Sequence, residues 1–364
     1  MKTLTVTYHH GTNYGAVLQT YALQHTLQKL GHENVVLDYS SLKIREKQKL
    51  SIVQRLKKYY LRYLLFIRKK SHTKLITHFD EFHKKHLMLT KPYCSVDEMR
   101  KDNDLNQYDC LITGSDQVWN LKGYQNLVDA RLLLFGSDRA RRISYAASLE
   151  ELDYTDTQKQ RVSDALHKFN GISLREENAR EYIESLSGLD CERVIDPVAL
   201  LQKEEWLQIA KKPRLKGPYI LCYQVLRNHR MQEVTNYLKK KTGYPVVSIC
   251  NSQIRWIKSD YSFHDVSIEE FLGFYQDAAY IVTTSFHGTA MGLVFNKPVY
   301  ALVKTQGANR IGNLMEITGM TDYMVWQGEK TPIKDYSELS MINLQSIIDC
   351  ERDKGIQFLK RMLS

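Results

Sequence analysis

Short apolar runs rich in β-branched residues alternate with longer amphipathic segments along most of the chain. This alternation is typical of α/β folds with parallel sheets. The clearest example spans Ala279–Val303, where one apolar run ends at Thr284 and a second begins at Pro298. The pattern predicts a buried strand, a short helix that begins near Ser285, and a second strand.

The start of the chain shows the same alternation. Leu4–Tyr8 and Val35–Tyr39 are predicted strands, and Ala16–Leu30 is a predicted helix between them. The three segments form one βαβ unit. Its first loop, HHGTNYGA, lacks the dinucleotide-binding fingerprint because Gly11 and Gly15 do not form a Gly-x-Gly-x-x-Gly pattern.

Polar residues follow several predicted strands of the first half of the chain, such as Tyr108–Thr113. Ligands of open α/β sheets bind at the carboxyl edge, where such loops meet. Backbone amides, a carboxylate and side-chain amides suit a sugar or a phosphate, and Asp116 is a candidate to orient or deprotonate a sugar hydroxyl. The candidates for binding such a ligand are Asn13, Tyr14, Gly15, Ser115, Asp116 and Gln117. The alternatives are turn formation at Asn13 and helix capping by Asp116.

Arg175 stands at the end of another predicted strand, Ile172–Arg175. An arginine at this position can hold a carboxylate or a phosphate through two parallel hydrogen bonds. The alternative is an ion pair with Glu176, Glu177 or Glu181.

The length of 364 residues predicts two domains. The α/β alternation restarts at Tyr219, after a basic segment that contains Lys-Gly-Pro. We therefore predict an N-terminal Rossmann-like domain over 1–205 and a C-terminal Rossmann-like domain over 206–345. A final helix over 346–364 is expected to cross back to the first domain.

The formal net charge of +10 is concentrated in one segment. Lys43–Lys74 holds twelve lysines and arginines against one acid, Glu46, so the remainder of the chain is close to neutral. We predict a basic helical insertion in the first domain at about 43–91. Its cations and aromatics suit an anionic membrane surface, or a solvated helix packed on the domain. Nucleic acid is not expected as a partner, because no recognised binding motif accompanies the charge.

Other classes of protein are poorly supported. No apolar run approaches the roughly 20 residues of a membrane helix, and the first residues predict a strand. We expect a cytoplasmic protein, peripheral at the inner face of the cell membrane if the basic segment binds lipid. The six cysteines form no Cys-x-x-Cys pair and no partnered His-x-x-x-His occurs, so we expect buried thiols and no metal site.

Six motifs together resemble the polysaccharide pyruvyl transferase family. They are TNYGAVLQTYAL, YDCLITGSDQVWN, ISYAASL, ISLREENARE, VIDPVALL and IVTTSFHGTAMGLVFNKPVYAL. Their order and spacing match the family over Thr3–Thr318. The resemblance implies two facing Rossmann-like domains of GT-B-like architecture with the active site between them. It also implies transfer of a pyruvyl group from phosphoenolpyruvate, as co-substrate, to a saccharide as a ketal, without a cofactor.

The resemblance also assigns roles to individual residues. Arg175 matches a family arginine associated with donor binding, and His287 matches the family histidine that follows the second-domain strand. Histidine can give and take a proton near neutral pH, which suits an acid–base role for His287 beside an anion site. The second domain is then the donor side, and the candidates for donor binding are Arg175, Ser285, Phe286, Gly288 and Arg310. The first domain is the acceptor side, where Asp116 is a second catalytic candidate and the candidates for acceptor binding are Asn13, Tyr14, Gly15, Ser115 and Gln117.

One departure from the family pattern affects the donor site. Many members have Ser-Arg-x-His where this chain has Thr-Ser-Phe-His, so Ser285 replaces an anion-binding arginine. The lost cation should cost a few kcal/mol of donor binding unless another replaces it, and Arg310 is the candidate. The departure keeps two alternatives open: a GT-B-like glycosyltransferase with a nucleotide-sugar donor, and a non-catalytic saccharide- or nucleotide-binding protein. The expected acceptor is a lipid-linked or nucleotide-linked saccharide.

Overall fold

A computed structural model describes residues 1–39, 69–121, 128–149, 152–250, 257–304, 309–328, 332–336 and 338–364. The chain divides into two compact units. The first unit comprises Met1–Gln48, Lys84–Leu201 and Cys350–Ser364, and the second comprises Lys49–His83 and Gln202–Asp349. The chain therefore changes unit after Gln48, His83, Leu201 and Asp349, whereas the sequence placed domain boundaries after 205 and 345.

The first unit contains a six-stranded parallel sheet in the order β2-β1-β3-β4-β5-β6. The strands are β1 (Lys2–Val6), β2 (Glu33–Val36), β3 (Cys110–Thr113), β4 (Arg141–Ala147), β5 (Gly171–Leu174) and β6 (Cys191–Arg193). Leu4 and Leu111, which are partners across β1 and β3, are fully buried. Burial on both faces explains the apolar run of β3, and in β1 even Thr3 and Thr5 are fully buried.

Helices lie between these strands along the chain. They are α1 (Tyr14–Lys29), α2 (Lys69–His86), α3 (Val96–Lys101), α4 (Val128–Arg131), α5 (Asp156–Leu166) and α6 (Arg180–Ser187). Residues 69–83 of α2 belong to the second unit. The predicted helix from Ala16 begins at Tyr14, because the Asn13 side chain accepts hydrogen bonds from the backbone N–H groups of Gly15 and Ala16.

The second unit contains another six-stranded parallel sheet, in the order β12-β11-β10-β7-β8-β9. The strands are β7 (Tyr219–Tyr223), β8 (Val246–Ile249), β9 (Tyr261–Phe263), β10 (Ala278–Thr283), β11 (Val299–Val303) and β12 (Met324–Trp326). The helices that follow α6 are α7 (Lys203–Ile209), α8 (Met231–Thr242), α9 (Ile268–Asp277), α10 (Phe286–Val294), α11 (Asn309–Ile317) and α12 (Glu338–Leu363). The predicted α/β class, with two Rossmann-like domains, is confirmed.

The basic helix predicted up to residue 91 ends earlier, at His86. The backbone N–H of Val36 donates to the Met88 carbonyl, and the Thr90 N–H donates to the Val36 carbonyl, so residues 88–90 extend beside β2. A proline follows at position 92, which also disfavours helix in the preceding residue. The part of the prediction at 43–68 lies outside the described residues.

The described part of this basic segment carries an apolar stripe. Leu75, Phe79 and Phe82 are spaced by four and three residues along α2, and all three are buried. Lys74 pairs with Asp265 through an Nζ–Oδ2 distance of 3.1 Å. These contacts support the alternative of a helix packed on a domain for Lys69–His83. These residues belong to the second unit, whereas the insertion was predicted in the first domain.

The described cysteines contain no disulfide, and four of the six are buried thiols, as predicted. Cys94 and Cys350 are exposed, so the prediction was wrong for these two. Among the described helices, none is both long enough and apolar enough to cross a membrane.

Candidate functional site

The loop that follows β10 begins α10 through a set of hydroxyl hydrogen bonds. The Ser285 hydroxyl accepts from the Gly288 backbone N–H at 3.1 Å, and the Ser285 N–H donates to the Thr283 hydroxyl at 3.1 Å. The predicted cap at Ser285 is therefore confirmed. The first turn of α10 contains no acidic residue. Its backbone amides and the helix dipole favour an anion at this end.

Gly288 is packed tightly between two strands. A Cβ atom added there would lie 2.5 Å from the Thr283 hydroxyl oxygen and 2.8 Å from Cδ1 of Tyr223. The sequence interpretation, in which glycine lets a ligand approach the backbone, is not needed to explain this residue, because the space beside its Cα is filled by the protein. A role for Gly288 in donor binding stays a prediction.

His287 is the second residue of α10, and only 7% of it is exposed. Its ring meets that of Phe286 edge-on, with centroids 5.2 Å apart. Burial raises the pKa of Tyr223, which lies beside Gly288, above its usual value, so its hydroxyl is no source or acceptor of protons near neutral pH. Within this loop His287 is thus the side chain whose chemistry suits proton transfer near neutral pH.

Arg310, the predicted replacement for the missing family arginine, is the second residue of α11 and is half-buried. Residues 305–308, which precede this helix, lie outside the described residues. The role of Arg310 at the donor site stays a prediction.

In the first unit, five polar residues from four strand ends form a buried cluster that we call the carboxyl-edge network. Its members are Ser115 after β3, Ser148 after β4, Arg175 and Glu176 after β5, and Asp196 after β6. They are brought together because carboxyl ends of neighbouring parallel strands lie at one edge of the sheet.

Arg175 is the centre of the carboxyl-edge network. Its Nε donates to Glu176 Oε1 at 3.0 Å, and its Nη1 donates to Asp196 Oδ2 at 2.9 Å. The ion pair with Glu176 is the alternative that the sequence left open. Burial disfavours the charge, but Glu176, Asp196 and Asp116 together raise the pKa of Arg175 above its usual value. The Nε and Nη1 atoms of the guanidinium group therefore already donate to carboxylates of the protein. The donor-binding role of Arg175 stays a prediction.

The two serines connect the charged members. Ser115 donates its hydroxyl proton to Asp196 Oδ2 at 2.8 Å, and Ser148 donates to Glu176 Oε1 at 2.8 Å. Ser115 is fully buried. Its predicted contact with an acceptor would therefore need the hydroxyl to leave Asp196. The sequence did not identify Asp196 as part of the site, although its position after β6 was a usable signal.

Asp116 has a left-handed backbone conformation, with φ of 71°, which is uncommon outside glycine but tolerated by aspartate. This conformation lets residue 116 pair with Ala147 as an isolated parallel bridge. The Asp116 Oδ1 atom accepts from the Gln117 N–H at 2.9 Å, and both residues are partly exposed. Asp116 therefore stabilises a turn and caps no α-helix, and its carboxylate is within reach of solvent.

The three candidates in the first loop have different surroundings. Asn13 is exposed and caps α1, as the turn alternative anticipated. Tyr14 is fully buried, so the structure places its side chain in the core and not at the surface where an acceptor would bind. Gly15 is buried and its N–H is bonded to Asn13. Of the three, Asn13 is the one whose side chain is accessible.

The same edge contains a cluster that the sequence analysis missed. His9 and His10 follow β1, and Asp38 follows the neighbouring strand β2. One ligand atom from each residue lies within 4.8 Å of the other two, which is close enough to hold a metal ion. Two adjacent histidines after the first strand were the available signal.

Comparison with known proteins identifies similar sequences and folds. The family model described as polysaccharide pyruvyl transferase matches residues 13–303. This match includes Asn13, the carboxyl-edge network and the loop at His287. No curated protein sequence matches the chain significantly.

Solved structures with a similar fold are nucleotide-sugar enzymes. UDP-N-acetylglucosamine 2-epimerase from Rickettsia bellii is 10% identical, with a TM-score of 0.52 and alignment over 100% of this chain and 96% of the epimerase chain. UDP-GlcNAc 2-epimerase from Neisseria meningitidis, bound to UDP-GlcNAc, is 12% identical, with a TM-score of 0.50 and alignment over 99% and 100% of the two chains. At these identities the similarity shows the fold class alone, which is GT-B-like.

Proposed function

Because the chain belongs to the polysaccharide pyruvyl transferase family, a family of transferases, we propose that it transfers a pyruvyl group from phosphoenolpyruvate to a saccharide of cell-surface polysaccharide biosynthesis. The observation that carries this proposal is the extent of the family match, residues 13–303, which includes strand-end loops of both sheets.

The reaction sets the chemical requirements of the site. A proton is added to the enol methylene of phosphoenolpyruvate, which becomes the methyl group. One sugar hydroxyl attacks C2, and a second hydroxyl closes the ketal as the bond from C2 to the phosphate oxygen breaks. Of the two protons that the hydroxyls release, one restores the acid that protonated the methylene and the other leaves with inorganic phosphate. The site therefore needs one group that gives and accepts protons, placed beside a site for an anion.

In this proposal His287 is the acid and base, and the start of α10 binds the donor. The Ser285–Gly288 loop supplies backbone amides and the positive end of the helix dipole for phosphate or carboxylate oxygens. Phe286 packs against the His287 ring and restricts its orientation. Arg310 supplies the cation that Ser285 cannot. Each residue has the chemistry that its step requires.

The first unit is proposed to bind the acceptor saccharide, linked to a lipid or to a nucleotide. Asn13, Asp116 and Gln117 are the members of the predicted acceptor set with exposed or half-buried side chains, and they carry amide and carboxylate groups that suit sugar hydroxyls. The carboxyl-edge network positions the loop after β3, which contains Asp116 and Gln117, through the hydrogen bonds of Ser115. In this proposal Arg175 contributes to donor binding while it stays paired with Glu176 and Asp196.

Ligand-dependent thermal stabilisation tests the donor. A ligand at 100 times its dissociation constant adds about 2.7 kcal/mol to the free energy of unfolding. We expect phosphoenolpyruvate to raise the melting temperature of the full chain, and pyruvate and inorganic phosphate to raise it less. Acceptor-dependent release of inorganic phosphate from phosphoenolpyruvate then tests turnover.

A nucleotide-sugar donor is the competing function. The Neisseria epimerase of similar fold is bound to UDP-GlcNAc, and a crevice of this fold class can hold such a ligand. Stabilisation by uridine or guanosine nucleotides, together with no effect of phosphoenolpyruvate, would reject pyruvyl transfer and favour glycosyl transfer. Stabilisation by a ligand without turnover of any donor would favour a binding protein.

We further propose that the basic segment Lys43–Lys74 brings the enzyme to anionic membrane, where lipid-linked saccharides reside. The support is the excess of cations in the segment, each worth about 1 kcal/mol near an anionic surface. We expect flotation with anionic vesicles at low salt and release at high salt. Absence of salt-sensitive flotation, or equal binding to neutral vesicles, would reject membrane attachment and leave the donor assignment unaffected.

A further inference from the structure

We propose that His9, His10 and Asp38 of the first unit bind a divalent transition-metal ion. The three residues offer ligand atoms that lie within 4.8 Å of one another. The proposed pyruvyl transfer uses no metal, so this inference goes beyond that function and does not depend on it.

The topology of the sheet brings the three residues together. β1 and β2 are adjacent and parallel, with Thr5 opposite Val36, so the segments that leave their carboxyl ends run side by side. The Leu37 N–H donates to the Thr5 carbonyl at 2.9 Å, which extends this pairing beyond β2. Asp38 therefore lies beside the segment that contains His9 and His10. Rigid strands fix both sides of the cluster.

The orientation of the His9 imidazole suits metal binding. The His9 Nδ1 lies 3.1 Å from the Thr7 carbonyl oxygen. Because a carbonyl oxygen only accepts, Nδ1 carries the proton in this contact and Nε2 carries the lone pair. A hydrogen bond of this kind from the second ring nitrogen is typical of metal-binding histidines, since it fixes both the tautomer and the ring orientation. His9 is fully buried, so its ring is held in place.

His10 and Asp38 supply the other two ligands. The His10 Nε2 lies 3.0 Å from Asp38 Oδ1, a separation that two ligands of one metal ion can have. The two imidazole rings lie close together at a tilt, with centroids 3.9 Å apart. The side chains of His10 and Asp38 are 30% and 19% exposed, which gives an ion access from solvent.

The ligand set selects the class of metal. Two imidazoles and one carboxylate suit Zn²⁺, Co²⁺, Fe²⁺ or Mn²⁺, whereas Mg²⁺ prefers oxygen ligands and retains its waters. Three protein ligands leave at least one coordination position for water or for an oxygen atom of a ligand. We infer that this site holds Zn²⁺ or a similar ion at the loop that leads into α1.

Titration of the full chain with Co²⁺ tests the proposal, because Co²⁺ replaces Zn²⁺ and has visible d–d absorption. The protein is freed of any histidine tag, treated with EDTA and desalted. It carries Cys94→Ser and Cys350→Ser, since the exposed thiols of these two residues would bind the probe. We expect one equivalent of Co²⁺ to bind, Zn²⁺ to displace it, and excess Mg²⁺ to leave it bound.

Variants locate the ion. His10→Gln and Asp38→Asn are expected to weaken Co²⁺ binding by at least about 100-fold. Loss of a residue that only orients a metal ligand already weakens metal affinity by about 10- to 100-fold, and loss of a ligand should cost no less. His167→Gln, at an exposed histidine of the same unit, is the matched control and should bind like the parent. Unchanged Co²⁺ affinity in both His10→Gln and Asp38→Asn would overturn the proposal, as would full displacement of Co²⁺ by equimolar Mg²⁺ or failure of the parent to bind one equivalent. These readouts are independent of pyruvyl transfer.

Discussion

The carboxyl edges of the two sheets are built in opposite ways. In the first unit, Arg175 lies between two carboxylates, and the charges neutralise one another inside the protein. In the second unit, residues 283–289 contain no acid, lysine or arginine, and hydroxyls and backbone amides make the hydrogen bonds. The first edge is therefore held by ion pairs, and the second by a helix cap and close packing.

This difference changes what a substitution at each edge should do. A buried ion pair contributes little compared with an apolar replacement of the whole pair, but removal of one member leaves a buried charge without its partner. A capped helix start contains no buried ion pair, so a substitution there leaves no buried charge without its partner. Its backbone amides remain suited to an external anion. We therefore expect substitutions at the first edge to affect mainly stability, and those at the second edge to affect mainly the reaction.

The largest expected effect is on stability, at Arg175. Arg175→Ala should lower the free energy of unfolding by about 3–5 kcal/mol, because Glu176 and Asp196 would remain buried without their shared cation. Urea unfolding of the full chain, followed by circular dichroism, measures the change. Arg175→Lys should cost less, since an ammonium group keeps the charge but cannot reach both carboxylates in the same way.

Arg180→Ala is the matched control. Arg180 is exposed and pairs with Glu184 one turn along α6, so its removal should leave the unfolding transition nearly unchanged. If Arg175→Ala unfolded like the parent and lost only phosphoenolpyruvate binding, the carboxyl-edge network would not be the main role of Arg175. The donor-binding role implied by the family resemblance would then be favoured.

The sequence predicted the fold well for a physical reason. Buried parallel strands are apolar runs, and the helices between them are amphipathic, so both sheets leave a local pattern in the chain. The cap at Ser285 was also predictable, because its hydrogen bond joins residues only three apart. Short edge strands such as β9 and β12 have three residues each and were missed, since they are too short to show a period.

The contents of the site were less predictable, because they depend on contacts between distant residues. Arg175 was identified, but its partner Asp196 follows a different strand, and no local pattern links the two. Tyr14 was predicted to bind the acceptor because it neighbours Asn13 in a loop-like motif, yet as the first residue of α1 it is buried. His9, His10 and Asp38 become a cluster only once β1 and β2 are known to be neighbours.

The next largest effect is expected on catalysis, at His287. His287→Asn keeps a polar side chain of similar shape but removes the group that exchanges a proton, so kcat should fall by about 100-fold or more while donor affinity changes little. Steady-state kinetics of acceptor-dependent phosphate release gives kcat, and thermal stabilisation by phosphoenolpyruvate gives the affinity.

His264→Asn provides the control for this change. His264 follows β9 in the same unit, is half-buried, and lies three strand positions from β10, or about 14 Å at the usual strand spacing. Its variant should retain the parent kcat. Equal activity of His287→Asn and the parent on the true substrates would remove His287 from the chemistry and leave it as a buried residue of α10.

The smallest expected effect separates two explanations of Gly288. If the glycine is required by packing, Gly288→Ala should destabilise the protein by about 1–2 kcal/mol. The new methyl group would lie 2.5 Å from the Thr283 hydroxyl oxygen and 2.8 Å from Tyr223 Cδ1, and such overpacking typically costs about 1–3 kcal/mol. The better helix propensity of alanine, about 0.5–1 kcal/mol, offsets only part of that cost.

Gly312→Ala is the same change in α11, where the nearest atom, Cε of Met324, would be 3.8 Å away at ordinary contact distance. There the propensity gain is unopposed, and we expect stabilisation by about 0.5–1 kcal/mol. The two variants should therefore shift urea unfolding in opposite directions. If Gly288→Ala were instead as stable as Gly312→Ala but bound phosphoenolpyruvate more weakly, the methyl group would obstruct the ligand and not the protein. Close approach of a donor to the backbone, which the sequence suggested, would then explain the glycine better than helix–strand packing does.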